Sequence, residues 1–153
     1  MANTYSQITI QLVFALKNRN ALIVPTFREQ LHKYITGIIT NQKQKLLVIN
    51  SVSDHTHILI GQSPSCNLSD LVREIKSESS RFINENKLSK FKFNWQDGFG
   101  SFSYSRSHRD IVIKYILNQE KHHKKRTFRE EYLDFLKKFE IEYDEKYLFD
   151  FFE

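Results

Sequence analysis

Two histidines separated by one residue, His55-Thr56-His57, open a run that continues through Ile58, Leu59 and Ile60. On an extended strand, residues two apart project from the same face. His55 and His57 are therefore expected side by side, with Thr56 and Ile58 turned the other way. Adjacent imidazoles can hold a divalent cation when a further ligand arrives from elsewhere. Tyr115 and Gln119 could supply that ligand and a nucleophile with it. Four residues apart, a phenol and a carboxamide share one face of a helix, ~6 Å apart along its axis. Each segment alone has an ordinary explanation. A bare His-x-His recurs by chance, and a tyrosine beside Val112, Ile113 and Ile116 suits a core boundary. The combination is what points to chemistry.

That chemistry has a physical logic. A tyrosine hydroxyl with a pKa near ~10 is a weak nucleophile at neutral pH. A cation that polarises a phosphodiester and stabilises the departing 3′ oxygen lowers the demand on it. Two neutral imidazoles and a neutral amide would leave the cation's charge uncancelled. Mg²⁺ prefers oxygen ligands, whereas imidazole suits Mn²⁺, so either is expected to function and Mn²⁺ to bind more tightly.

Elements of regular spacing must position these groups. Ile8, Ile10, Leu12 and Phe14 alternate with Thr9, Gln11 and Val13, which predicts a strand over roughly 4–16. Pro25 suits a first helical turn, and Phe27, Leu31, Ile35 and Ile38 follow at helical spacing to about residue 41. Leu46–Val52 and His55–Ile60 read as antiparallel strands joined through Ser53-Asp54. A helix capped by Asn67 or Ser69 runs to about Asn86. Phe91–Gln96 and Ser101–Ser105 look like short strands around Asp97-Gly98-Phe99-Gly100. One helix is expected over Ser107–His122, and Thr127-Phe128-Arg129-Glu130 opens another with capping-box spacing. The order implies an α+β fold, a ferredoxin-like antiparallel sheet of four or five strands with packed helices. A single domain over 1–140 with an acidic aromatic tail over 141–153 is the expected organisation.

The 153-residue chain carries a net charge of +5, unevenly spread. Residues 1–126 hold 19 Lys+Arg against 9 Asp+Glu, and residues 127–153 hold 4 against 9. A basic body suits a polyanionic partner, whose condensed counterions are released on binding. The single Cys66 excludes an internal disulfide and a cysteine zinc cluster. No apolar run approaches a membrane span, and Met1–Tyr5 does not resemble a cleaved signal, so a cytoplasmic setting is expected.

Taken together, the motifs resemble a known family. His55-Thr56-His57 resembles the HUH motif, with Tyr115-Ile116-Leu117-Asn118-Gln119 downstream of it. Further likeness lies in Asp54, in Ile75-Lys76-Ser77-Glu78-Ser79-Ser80-Arg81, and in Trp95 to Ser103. Asn118-Gln119-Glu120-Lys121-His122-His123-Lys124-Lys125 adds to it, so that most of residues 5–132 is covered. The chain is thus similar to the single-tyrosine HUH transposases of bacterial insertion sequences and their REP-associated relatives. The resemblance implies an HUH endonuclease type of fold and a homodimer that cleaves and rejoins single-stranded or hairpin DNA. It makes Tyr115 the nucleophile of a 5′-phosphotyrosine intermediate, acting in cis or in trans, and His55, His57 and Gln119 the metal ligands. Thr56 departs from the bulky aliphatic middle residue of the motif.

Other residues carry weaker expectations. Asp54 could orient a ligating histidine or simply form the turn. Lys76, Arg81, Arg106, Arg109 and His122 are candidate DNA contacts, against the alternative of solvated helix faces. Trp95, Phe99, Phe102 and Tyr104 could stack on bases, although an aromatic core accounts for most of them. The competing reading of the whole chain is a non-catalytic, ferredoxin-like module that binds single-stranded nucleic acid.

Overall fold

The computed structural model describes residues 3–152. Its centre is β1 (Thr9–Ala15), whose seven residues are all buried, as an interior strand covered on both faces requires. β2 (Lys45–Ser51) and β3 (His55–Gly61) lie to one side and β4 (Gly100–Tyr104) to the other. The four strands run antiparallel in the order β2-β3-β1-β4, which is the ferredoxin-like arrangement.

Register decides what each face carries. Val13 pairs with His57, Gln11 with Leu59, and Ala15 with His55. On the far side of β1, Gln11 pairs with Phe102 and Val13 with Gly100. These side chains share one face. Leu12, Phe14, Thr56, Ile58 and Ile60 share the other, facing α1 (Pro25–Asn41) and α2 (Leu68–Glu85). Pro25 starts α1, and Phe27, Leu31, Ile35 and Ile39 bury its inner stripe. Asn67 caps α2 by accepting from the Asp70 amide at 3.1 Å.

The histidine-bearing face is covered by three later helices, α3 (Arg109–Leu117), α4 (Gln119–His123) and α5 (Phe128–Lys138). Val112 and Ile116 of α3 pack on Val48 and Leu59. Thr127 and Glu130 close a reciprocal capping box at the start of α5. Gly100 permits close packing here, since a Cβ at that position would lie 2.8 Å from the Tyr132 hydroxyl oxygen.

Three readings of the sequence need correction. β1 begins at Thr9, so residues 4–8 precede the strand. Phe91–Gln96 forms no strand, only an isolated antiparallel bridge from Trp95 to Leu16, so of the four or five strands expected there are four among the described residues. The segment's backbone is satisfied partly by the end of β1, with Gln96 N donating to Ala15 O at 2.8 Å and Lys17 N to Asn94 O at 2.9 Å, and partly by a side chain. Asn84 of α2 accepts from Phe93 N at 2.8 Å and donates to Phe93 O at 2.9 Å, and Trp95 donates to Ser79 at 2.9 Å. The helix expected over 107–122 is broken into a 3-10 turn (Arg106–His108), α3 and α4. At the break, Asn118 leaves helical geometry and its amide is shared between Lys114 O and Tyr115 O.

Residues after α5 fold back on the body. Phe149 is buried against Tyr132 at 4.9 Å and Phe128 at 5.9 Å between ring centroids. Gln96 pairs with the Asp150 backbone twice, at 2.9 and 2.7 Å.

Candidate active site

β3 delivers His55 and His57 fully buried, with ring centroids 5.1 Å apart. Each ring is fixed from behind. Asp54, in the turn before the strand, lies 2.7 Å from His55 Nδ1, and the His55 ring stacks flat on Phe128 at 3.7 Å. Gln11 Nε2 donates to His57 Nδ1 at 2.8 Å, while Gln11 Oε1 accepts from the Tyr104 hydroxyl at 2.7 Å. With Nδ1 as an acceptor, the His57 proton sits on Nε2. Both Nε2 atoms point toward α5.

The broken helix supplies the other wall. Tyr115 comes from the last turns of α3 and Gln119 opens α4, so the predicted single-helix spacing is replaced by two helices meeting at Asn118. The two side chains nevertheless reach one acceptor. The Tyr115 hydroxyl donates to Glu131 Oε2, and Gln119 Nε2 donates to the same oxygen at 3.1 Å. His123, one turn beyond Gln119, donates to its Oε1 at 3.0 Å.

Glu131 is the residue that sequence reasoning missed. It is fully buried, and its Oε1 lies 3.1 Å from His57 Nε2, 3.3 Å from His123 Nε2 and 3.4 Å from His55 Nε2. Its sequence signature is an acidic residue set in the apolar stripe of α5 between Phe128, Tyr132 and Phe135. His123 was equally concealed, inside a basic run. One ligand atom from each of His55, His57, His123 and Glu131 falls within 4.8 Å of the others.

The electrostatics follow from this crowding. Burial alone would raise the Glu131 pKa, but His57 charge and hydrogen bonds from His123, His55 and His57 hold it far below the usual carboxylate range. For His55, burial opposes charge, and the hydrogen bonds and charges of Asp54 and Glu131 outweigh it, so its pKa is raised. Burial prevails at His57, whose pKa is lowered despite Glu131. Tyr104 is pushed up to about 12, by burial first and Glu131 second. The same causes lift Tyr115 well above its ordinary value, and Arg126, which donates to its hydroxyl at 2.9 Å, pulls the other way. In this arrangement the phenol is a protonated donor.

A family model described as an IS200-like transposase matches residues 4–119, from ahead of β1 to Gln119. The chain belongs to the IS200-like transposase family. Two solved structures share the transposase fold. A candidate transposase from Deinococcus radiodurans R1 superposes with a TM-score of 0.63 at 22% identity, covering 78% of this chain and 95% of that one. A REP-associated tyrosine transposase bound to a REP hairpin superposes with a TM-score of 0.61 at 17% identity, covering 80% of this chain and 73% of that one. No curated protein matches the transposase in sequence. His123, Arg126 and Glu131 all lie beyond the matched region. No helix among the described residues is long and apolar enough to cross a membrane.

The remaining sequence candidates are scattered over the transposase. His122 stacks on the Tyr115 ring at 4.3 Å, beside the cluster. Lys76 donates to Gln96 O at 2.7 Å and Gly98 O at 2.6 Å, so its ammonium braces the 96–98 loop, and burial lowers its pKa to about 8. Arg81 pairs with Glu78 on the exposed side of α2. Arg106 is exposed on the 3-10 turn, and Arg109 lines a cleft with Lys43 and Lys45. None of Lys76, Arg81, Arg106 and Arg109 hydrogen-bonds to the cluster among the described residues. Trp95 and Phe102 are buried and offer no open face for a base, while Phe99 and Tyr104 are half-buried.

Proposed function

We propose that this transposase is a metal-dependent strand transferase that cleaves and rejoins single-stranded DNA through a 5′-phosphotyrosine at Tyr115. The observation that carries the reading is convergence. A phenol from α3, two imidazoles from β3 and a carboxamide from α4 all meet at one buried point of a single chain.

The donor set fits a divalent cation. His55 Nε2 is buried with no contact shorter than the 3.4 Å one to Glu131 Oε1, and the imidazole, carboxylate and amide donors around it suit Mn²⁺ or Mg²⁺. His55, His57 and Gln119 would hold the ion, with Glu131 and His123 close enough to join them. When bound, the ion would polarise the scissile phosphate and stabilise the 3′ oxygen. Asp54 fixes the His55 ring from behind and Gln11 the His57 ring, whose Nε2 would have to give up its proton to ligate the ion. The Tyr115 oxygen attacks phosphorus, its bond to the phosphate replaces the bond to O3′, and the departing strand leaves as a 3′ hydroxyl. Rejoining is the reverse attack by a 3′ hydroxyl, which conserves the phosphodiester's energy and requires no nucleotide.

Hairpin DNA is the expected substrate, on the strength of the hairpin held by the REP-associated neighbour and the basic character of residues 1–126. The site is complete within one chain, so Tyr115 is read as acting in cis. The homodimer is then a DNA-bridging assembly rather than a condition for building the site. Incubation with Mn²⁺ or Mg²⁺ and labelled hairpin or unstructured oligonucleotides is expected to give a protein–DNA adduct that survives denaturing electrophoresis. Tyr115→Phe is expected to abolish the adduct while DNA binding persists. Binding without any adduct in the unaltered protein would favour the non-catalytic module. Adduct restored on mixing Tyr115→Phe with His57→Ala protein would move the tyrosine to the trans arrangement.

A further inference from the structure

Arg126 lies outside the residues matched by the family and ends the segment between α4 and α5. Its place is fixed at both sides. Its amide donates to His122 O at 3.0 Å, closing α4, and the next residue, Thr127, is the N-cap of α5. The guanidinium is forked. Nη1 donates to Asp134 at 3.3 Å, while Nη2 donates to the Tyr115 hydroxyl at 2.9 Å. Among the described residues it is the one cationic side chain hydrogen-bonded to that oxygen.

A surface arginine paired with an aspartate would ordinarily contribute little. Two features set this one apart. Tyr115 Oη lies between opposite charges, with the buried Glu131 carboxylate on one flank and Arg126 on the other. The Arg126 side chain also keeps 32% of its surface open to solvent, whereas Glu131 is closed off. An anionic phosphate approaching Tyr115 from solvent therefore meets the guanidinium flank. Once phosphorus is attached to Oη, its non-bridging oxygens are next to a donor that already reaches Oη. A planar fork of N–H donors matches the geometry of phosphate oxygens.

We propose that Arg126 is a catalytic residue that holds a non-bridging oxygen of the scissile phosphate during attack by Tyr115 and in the phosphotyrosine that results. This rests on the phosphotyrosine reading above. The step is balanced: Tyr115 Oη–P forms, P–O3′ breaks, and the proton lost by the phenol equals the one gained by the 3′ oxygen. Arg126 stays protonated throughout and supplies charge only.

The test is adduct formation by Arg126→Ala, Arg126→Lys and Asp134→Asn proteins on two oligonucleotides. One carries a normal scissile phosphodiester, and the other a methylphosphonate in which a non-bridging oxygen is replaced by an uncharged methyl group. On the phosphodiester, Arg126→Ala is expected to slow the adduct by about 10²-fold, the usual effect of losing one donor to a transition-state oxygen, with oligonucleotide affinity unchanged. Arg126→Lys should recover part of the rate, and Asp134→Asn nearly all of it. On the methylphosphonate, Arg126→Ala should match the unaltered protein, because no charge remains to be held. An Arg126→Ala rate equal to that of the unaltered protein on the phosphodiester would overturn the proposal. So would a deficit of the same size on both oligonucleotides, or one that Asp134→Asn reproduces in full, since each marks a merely structural role. Failure of the unaltered protein to form any adduct would instead strike the phosphotyrosine reading.

Discussion

Histidines lie against both faces of β3, half-buried His32 on one and fully buried His55 on the other, and their surroundings act on them in opposite ways. On the α1 side, His32 Nε2 lies 2.7 Å from Ser51 Oγ, which lies 2.9 Å from Thr56 Oγ1. Burial first, and Arg28 second, lower the His32 pKa to about 4. On the α5 side, His55 is buried completely yet has its pKa raised, through Asp54 and Glu131. Hydroxyl partners let a buried imidazole remain neutral, whereas buried carboxylates favour its charge. Residues adjacent in sequence thus sit in contrasting electrostatic environments, separated by the thickness of one strand. Two carboxylates make the difference at His55, Asp54 from the turn ahead of β3 and Glu131 from α5; at His57, which lacks the Asp54 contact, burial prevails.

The contrast can be broken at Glu131. Replacing it with Gln keeps the shape but removes the charge that three histidines surround. A loss of about 3–5 kcal/mol in unfolding free energy is expected for metal-free protein, as when one partner of a buried pair is removed. Urea denaturation measures it, and an unchanged midpoint would show that the cluster contributes nothing to folding.

A smaller effect sharpens the opposite face. His32 is neutral in the folded protein down to about 4, while the unfolded chain takes up a proton near 6.5. Its contribution is therefore fully present above 6.5 and is lost as pH falls toward 4, by up to about 3 kcal/mol for a shift of this size. Arg28 and Glu29 on α1, with Ser51 and Thr56 on the sheet, are the groups that face it. The difference in urea midpoint between unaltered and His32→Gln protein, followed across that window, should grow smaller on acidification.

The smallest expected effect concerns the helices. α1 has no side-chain cap and starts on Pro25, whereas α5 is held by the Thr127–Glu130 box. Thr127→Ala should cost about 1 kcal/mol in unfolding free energy, as the loss of an N-cap does. The pKa of His32, read by NMR titration, should not change.

Much of this was legible in the sequence because period and spacing are local properties. Alternation in β3 put His55 and His57 on one face and Thr56 on the other, and four-residue spacing paired Tyr115 with Gln119. The capping signature at Thr127 named the start of α5. What stayed hidden depended on tertiary pairing. Nothing local says that Asn84 will satisfy the backbone of Phe93, so Phe91–Gln96 read as a strand. Asn118 interrupts a stretch whose apolar spacing looks continuous. Glu131 escaped because it is one of nine acidic residues after residue 126 and only its place between Phe128 and Phe135 sets it apart. His123 was masked by the lysines that follow it.

The turn at Ser53-Asp54 is pinned by the connection that follows β1. Leu16 N donates to Asp54 O at 2.9 Å and Ile23 N to Ser53 O at 2.8 Å. Inserting a single residue beside this anchored corner would offset β3 by one position and exchange everything its two sides display. Thr56 would then confront α5, and both imidazoles would be driven in among the leucines and isoleucines beneath α1. Two backbone hydrogen bonds at this corner therefore act as the alignment pins of the whole candidate site.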